Sequence, residues 1–498
     1  MNKVKLSKSK YCKCVQCSKM IWLMKYKPEF AVKTAKDSVL ENGTRVGELA
    51  KGLFGKYEDV EYNEDLNVMV EETKELLKNK PNIITEASFN YDNNFCSVDI
   101  LKNDIDGVEI YEVKSSTTVH DIYKDDASYQ FYVLSNLGLN VKKVCIVYIN
   151  NQYIRGKELE IDKLFNVEDI TDIAISKQKE IKNNIEELNK YMEEHDESNE
   201  PITDIGMKCS KPYDCEFWEY CTRNLPKPNV FDIEGGMRKD KKFQKYYEGK
   251  ISFEDLQYED LNPKYLEQID FELNNLKPKI DVDAIRDIMN SLKYPLYFID
   301  YETYQLSIPE TEGTKPYQQL PFQYSLHIIK EKGAPIEHKE FLAEVDDKDF
   351  IRHFAESMIK DMPENGSVII YNKSFEPARN NEISNMYPDL KEELDRINSN
   401  MVDFLEPFKQ RKYYCKEMHG SASIKAVLPA LYPDDPELDY HSLPVVHNGG
   451  EASDAFLNLK EKSKEEQEKI RHGLLVYCEL DTYAMVKIWE KFKEIVGE

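Results

Sequence analysis

Three groups of residues in this chain have types and spacings that could do chemistry. The first is Asp99 with Glu112 and Lys114, in the order D-x12-E-x-K. Strand side chains alternate between faces, so Glu112 and Lys114 point one way and Val113 the other. Two carboxylates and a lysine on one face would suit a hard dication, Mg²⁺ or Mn²⁺, acting on a phosphodiester. The second group is Cys209, Cys215 and Cys221, spaced C-x5-C-x5-C in a polar loop. Structural zinc usually draws on cysteine pairs two to four residues apart, whereas an iron-sulfur cubane takes four thiolates and accepts a distant one. Cys12, Cys14 and Cys17 are the candidates for the fourth. The third group is Asp300 and Glu302, then Asn372, Phe375 and Glu376 in Y-N-K-S-F-E, then Tyr477 and Asp481. Asp300 and Glu302 alternate onto one strand face, and Tyr477 and Asp481, four apart, share one helix face.

These groups need elements to position them. NIITEASF, FCSVDI and GVEIYEVK read as three short strands, with Asp99 ending the second and Asp106-Gly107 signalling a hairpin before the third. A helix over 43–54 places Val46, Leu49 and Leu53 on one face ahead of them. A second helix, Ala127 to Leu137, carries Gln130 and Tyr132 and leads into the strand KKVCIVYIN. Residues 174–196 form a charged helix whose Ile181, Ile185, Leu188 and Met192 make one apolar stripe. Residues 226–290 are polar, helix-leaning and broken by prolines, as expected of a connector. A second α/β pattern starts at YPLYFIDYET and ends in the periodic helix LLVYCELDTYAMVKIWEKF.

Helix, three strands, helix and strand around Asp99, Glu112, Lys114 and Gln130 resemble the PD-(D/E)XK nuclease fold in its RecB-like branch. That resemblance implies a metal site with a helical Gln and an acid or histidine on the first helix. Glu48 stands there, beside Gly47 where many relatives carry histidine. An N-terminal cysteine, a nuclease core and three later cysteines resemble the iron-sulfur nucleases of the AddB and CRISPR-adaptation types. The resemblance implies a structural 4Fe-4S cluster on Cys17, Cys209, Cys215 and Cys221, with V-Q-C-S-K followed by I-W-L matching Cys17 to the first ligand. The D-x-E strand, N-x2-F-acid segment and Y-x3-D helix resemble the DEDD exonucleases of the DnaQ-like, RNase H-like fold, tyrosine subclass. There Asp300, Glu302, Glu376 and Asp481 would hold two dications while Tyr477 orients water. Glu376 departs from that pattern, which has Asp. Nearly the whole chain resembles a bacterial family that fuses these two nuclease-like domains.

The expected fold class is α/β with two domains: a PD-(D/E)XK core with its cluster over 1–225, a helical connector over 226–290, and an RNase H-like mixed sheet flanked by helices over 291–498. At 498 residues the chain has room for them. Its 67 basic and 92 acidic residues give a net charge of -25, which excludes a uniformly basic nucleic-acid coat. VCIVYI and YPLYFI, the longest apolar runs, are strand length and exclude a membrane span. The start of the chain lacks a signal-peptide pattern, so a cytoplasmic, reducing setting is expected, with cysteines as free thiols or ligands. Residues 1–28 hold eight lysines and no acid, a hint of a polyanion partner. The expected activity is metal-dependent hydrolysis of nucleic acid, DNA rather than RNA, by two heads. One head acting with the other as a clamp is an alternative, as is a non-catalytic iron-sulfur scaffold that binds nucleic acid or a protein.

Overall fold

The computed structural model describes residues 3–33 and 37–498. The fold is mixed α/β, and the chain divides into two compact units. Met1–Asn224 together with Leu306–Gln318 form the first; Leu225–Gln305 and Gln319–Glu498 form the second. Among the described residues no helix is long and apolar enough to cross a membrane.

The first unit holds a seven-stranded sheet of β1 (Leu6–Ser7), β2 (Glu58–Asp59), β3 (Ile83–Tyr91), β4 (Asn94–Asp104), β5 (Gly107–Lys114), β6 (Val141–Ile149) and β7 (Phe165–Asp169). The order is β2-β3-β4-β5-β6-β7, with β1 alongside β4. Neighbouring residues of one strand enter different cores. Ile84, Leu101, Ile110 and Ile146 pack under the helices Asp121–Asn136 and Gln178–Glu194, while Ile83, Ile100, Tyr111 and Cys145 pack against Val46 and Ala50 of the helix Asp37–Lys51. Burial on both faces explains why β6 reads as the continuous apolar run VCIVYI rather than an alternating one. The segment Leu306–Gln318 contributes Ile308 and Tyr317 to the second of these cores, and Gly313 and Arg155 exchange backbone contacts through Gly313 N to Arg155 O at 2.8 Å and Arg155 N to Thr314 O at 2.9 Å.

Several expectations shift here. The turn before β5 is Ile105-Asp106, with Asp104 paired to Gly107, one residue earlier than the Asp-Gly signal suggests. Gly107 serves close approach: at φ 143° a Cβ would lie 2.2 Å from the Asn140 carbonyl oxygen. Asp99 lies in the middle of β4 rather than at its end. The helix expected over 174–196 breaks at Lys177 into Thr171–Ser176 and Gln178–Glu194. The lysine-rich start is a packed part of the unit rather than a loose arm. β1 pairs in parallel with β4, Leu6 opposite Asn94, and Lys8, Lys13 and Lys19 form ion pairs with Glu112, Glu216 and Glu200.

The second unit holds a two-stranded ribbon of β8 (Lys279–Ile280) and β14 (Tyr413–Tyr414), and a five-stranded sheet. The sheet comprises β9 (Leu296–Tyr304), β10 (Leu320–Ile329), β11 (Glu337–Leu342), β12 (Ser367–Ile370) and β13 (Met401–Asp403), in the order β11-β10-β9-β12-β13. The first three are antiparallel neighbours, and β12 and β13 run parallel to β9. The helix Lys464–Val496 starts at a capping box of Ser463 with Glu466 and ends at the left-handed Gly497. Its Met485, Val486 and Trp489 share a core with Leu296 and Phe298 of β9. Residues 226–290 group with this unit.

Candidate functional site

In the second unit the sheet and the long helix converge on a set of carboxylates. Asp300 and Glu302 project from β9, and Asp481 from the helix Lys464–Val496; one oxygen of each lies within 4.8 Å of the others. Glu302, Glu376 and Asp481 are buried, with 7%, 2% and 8% of their surface exposed. Glu376 begins the helix Glu376–Met386, and its Oε2 is buried without a hydrogen-bond partner. Burial and then the neighbouring Asp481, Glu302 and Glu376 carboxylates push the Asp300 carboxyl well above the usual range. Burial likewise pushes Glu302 and Glu376 up to about 8, and Asp481 up to about 6, where hydrogen bonds from Tyr440 and Tyr477 and the charge of Lys425 oppose it. Glu376 lies outside the 4.8 Å set but acts on Asp300 through its charge, and like charges held this close are a donor set short of a cation. The residues therefore fit Mg²⁺ or Mn²⁺, and the extra methylene of Glu376 leaves its carboxylate near enough to Asp300 to act on it electrostatically.

Tyr477, one turn before Asp481 and 3% exposed, faces the same acids. Lys425 Nζ lies 3.3 Å from the Tyr477 hydroxyl, and Tyr440 donates to Asp481 Oδ1 at 2.7 Å. Asn372 holds φ 105°, a costly backbone for a residue with a Cβ, and Asp403 clamps it there by accepting from Asn372 N at 3.0 Å and Lys373 N at 2.8 Å. That bend leads through Phe375 into Glu376. Of the residues lying between the motifs, Lys425 joins the site and Asp403 braces it, while His419 pairs with Glu272 at 2.7 Å.

In the first unit, the register Ile100↔Tyr111 carried one step further sets Asp99 beside Glu112. Asp99 Oδ2 accepts from Val113 N at 2.6 Å. Lys114 Nζ reaches Glu112 Oε1 at 2.8 Å and Asp126 Oδ2 at 2.5 Å, and Gln130 Nε2 donates to Glu112 Oε2. Gln130 Oε1 is buried without a partner. Asp99, Glu112, Lys114 and Gln130 are thus brought together. Glu48 is not among them, because its exposed carboxylate pairs with Lys51 at 2.8 Å.

This centre is already largely neutralised. Lys8, the first residue of the helix Lys8–Gln16 that follows β1, donates to Glu112 Oε1 at 2.6 Å. Burial raises the Glu112 carboxyl, but Lys114 and Lys8 outweigh it and hold Glu112 down at about 2. Asp99 is pushed the other way, up to about 7, by burial and by Glu112. Glu86 belongs to the same cluster: at φ 54° it lies between the pairs Thr85↔Ile100 and Ala87↔Val98, opposite Asp99.

The four expected cysteines also gather. Burial pushes the Cys215 thiol up to about 11, with Cys209, Cys221 and Cys17 adding to the effect. Burial is likewise the main cause of the rise at Cys209 and Cys221, and each of them feels Cys17. Tetrahedral zinc at a Zn–S distance of ~2.3 Å would bring its sulfurs to about 3.8 Å from one another. Among the described residues these sulfurs do not form a set lying within 4.8 Å. A cubane carries each thiolate on a separate iron and takes four thiolates, the donor set that Cys17, Cys209, Cys215 and Cys221 would offer. Cys12 is turned elsewhere, its Sγ 3.1 Å from Asp126 Oδ1, and Cys14 is buried beside Cys17.

Sequence reasoning missed Lys8, Glu86, Asp126 and Tyr440. A lysine at the start of a helix, or a tyrosine in a single short turn, carries no local signal of the acid it will meet. Glu86 was findable only as a lone acid in an apolar strand.

Comparison with known proteins covers part of the chain. Residues 297–423 match a family model described as Domain of unknown function (DUF2779), a stretch that includes Asp300, Glu302 and Glu376 and stops short of Tyr477 and Asp481. The chain is 25% identical over 372 residues to the Uncharacterized protein MG366 of Mycoplasma genitalium, which covers 67% of this chain and 54% of that protein. The chain thus spans about half the length of that curated relative. No solved structure matches it. These matches make the chain similar, over a quarter of its length, to a domain family of unknown function.

Proposed function

We propose that the chain is a metal-dependent nuclease whose principal active site is the carboxylate set of the second unit. The observation that carries this reading is the meeting of Asp300, Glu302 and Asp481 oxygens within 4.8 Å, beside a buried Glu376 whose charge acts on Asp300. Mg²⁺ or Mn²⁺, when bound, supplies positive charge to a phosphodiester and acidifies water. Tyr477 positions the attacking water, and Lys425, at the Tyr477 hydroxyl, holds that hydroxyl in place and faces the phosphate. Asp403 keeps the strained Asn372 bend that delivers Glu376. Water adds to phosphorus, the bond to the 3′ oxygen of the preceding nucleotide breaks, and that oxygen takes up a proton. Nucleotides are removed one at a time from a 3′ end of DNA.

The RecB-like site of the first unit acts as a second head through Asp99, Glu112, Lys114 and Gln130, with Cys17, Cys209, Cys215 and Cys221 holding a 4Fe-4S cluster that ties distant stretches of this unit together. One observation favours a second reading, in which this head clamps nucleic acid without cutting it. Lys8 and Lys114 already neutralise Glu112, so less charge is left for a dication than in the other unit.

The test is cleavage of end-labelled single- and double-stranded DNA and RNA with Mn²⁺, by the parent and by Asp99→Ala and Asp481→Ala, on anaerobically purified protein analysed for iron and sulfide. Asp481→Ala is expected to lose trimming from the 3′ end. Asp99→Ala loses a separate activity if the first head cuts, and only binding if it clamps. A parent protein without metal-dependent cleavage sinks the nuclease reading, and zinc in place of iron sinks the cluster.

A further inference from the structure

Behind the carboxylates the same helix meets the sheet a second time, through different chemistry. His327 of β10 and His338 of β11 are direct cross-strand partners, with ring centroids 4.6 Å apart. Glu479 of the helix Lys464–Val496 approaches them, its Oε1 3.8 Å from His338 Nδ1, and one ligand atom from each of the three lies within 4.8 Å of the others.

The hydrogen bonds around the two rings admit an arrangement that leaves each ring a lone pair for a metal. Thr482 donates its one hydroxyl hydrogen to the Glu479 carbonyl at 3.0 Å. In that arrangement it accepts from Ser325 Oγ at 2.7 Å and from His327 Nδ1 at 2.8 Å. Ser325, its own hydrogen committed to Thr482, accepts from His338 Nε2 at 2.9 Å. His327 Nε2 and His338 Nδ1 are left as bare lone pairs. A hydroxyl that takes the far N–H of each imidazole is the arrangement that orients metal-ligating histidines. His338 Nδ1 then faces the Glu479 carboxylate, two acceptors with no proton between them.

We propose that His327, His338 and Glu479 form a site for a zinc-class dication, separate from the carboxylate set and of different hardness. Two imidazoles and one carboxylate suit a borderline transition metal, whereas the all-oxygen set suits Mg²⁺ or Mn²⁺. His327 is buried, His338 part-buried and Glu479 exposed, so the ion enters from the Glu479 side and water completes its shell. Glu479 is also the ligand free to swing in and close the set. The ion joins three elements, β10, β11 and the helix. Ser325 pairs directly with Asp300 across the sheet, and Thr482 follows Asp481, so occupancy fixes the seat of the carboxylates without touching them.

The test is equilibrium zinc uptake by the full chain against a chromophoric chelator, comparing the parent with His338→Ala, Glu479→Gln and Thr482→Val, with thermal unfolding measured in parallel. The parent is expected to bind one equivalent more than His338→Ala, and to gain thermal stability from zinc that His338→Ala does not. Glu479→Gln, an exposed change that leaves the fold intact, weakens the same equivalent. Thr482→Val keeps all three ligands but frees the tautomers, and is expected to weaken it about 10- to 100-fold. Equal uptake by the parent, His338→Ala and Glu479→Gln overturns the site.

Discussion

Replacing Glu302 by Gln should stabilise the metal-free protein, and the size of the effect should follow pH. Burial first, then Asp481, raises the Glu302 carboxyl from its ordinary 4.5 to about 8, with Lys425 opposing. Between those values the folded chain keeps a proton that the unfolded chain has released, so stability falls as pH rises through that window. At about 1.4 kcal/mol per pH unit, the loss by pH 8 is on the order of 5 kcal/mol. Gln is a neutral isostere of the protonated acid. Its advantage over Glu should be near zero at pH 4.5 and should grow to several kcal/mol at pH 8. Excess Mn²⁺ should reverse the order, because the cation satisfies the ionised set and an amide is the poorer ligand. Urea unfolding of both proteins at pH 4.5, 6 and 8, with chelator and then with Mn²⁺, reads the difference directly. A difference that does not change with pH, or a variant less stable than the parent in chelator at pH 8, would refute the picture of uncompensated buried charge.

Two further outcomes follow from the first unit. Lys8→Met should lower metal-free stability by about 2 kcal/mol, less than the loss for a fully orphaned buried charge because Lys114 and Gln130 still hold Glu112, while Mn²⁺ binding at Asp99 tightens as a competing ammonium is removed; denaturation and Mn²⁺ titration check the two halves. Gly107→Ala should cost about 3 kcal/mol, read as a shift of the urea midpoint, since its Cβ has no room beside the Asn140 carbonyl and φ 143° does not suit it.

What the sequence made legible was what period and short spacing control. The two-residue rhythm of β5 set Glu112 and Lys114 on one face, and the four-residue step from Tyr477 to Asp481 put both toward β9. Lys8 lies 104 residues from Glu112 and reaches it only because β1 extends the edge of β4. Glu86 breaks the alternation of β3 with a left-handed backbone, so counting along the strand cannot assign its face. The paired histidines were hidden for another reason: Gln323, Ser325 and His327 alternate with Phe322, Tyr324 and Leu326 as a solvent-facing row would, yet every residue of β10 is buried. In the cysteine loop, spacing told which thiols gather, but their meeting with Cys17, about 190 residues away in sequence, exists only in three dimensions.

The segment Leu306–Gln318 bears on the order in which the molecule can be completed. It leaves β9, supplies Ile308 and Tyr317 to a core of the first unit, and returns as β10. A ribosome that has finished Asn224 has therefore not yet delivered all of the first unit. That core stays open until Gln318 has been made, by which time β9 of the second unit has been synthesised and still lacks β10. At roughly 5–20 residues per second, the nascent chain spends several seconds with both cores unfinished. The two units are thus coupled in birth, and neither can be excised by a single cut between them without leaving the first short of a piece of its interior.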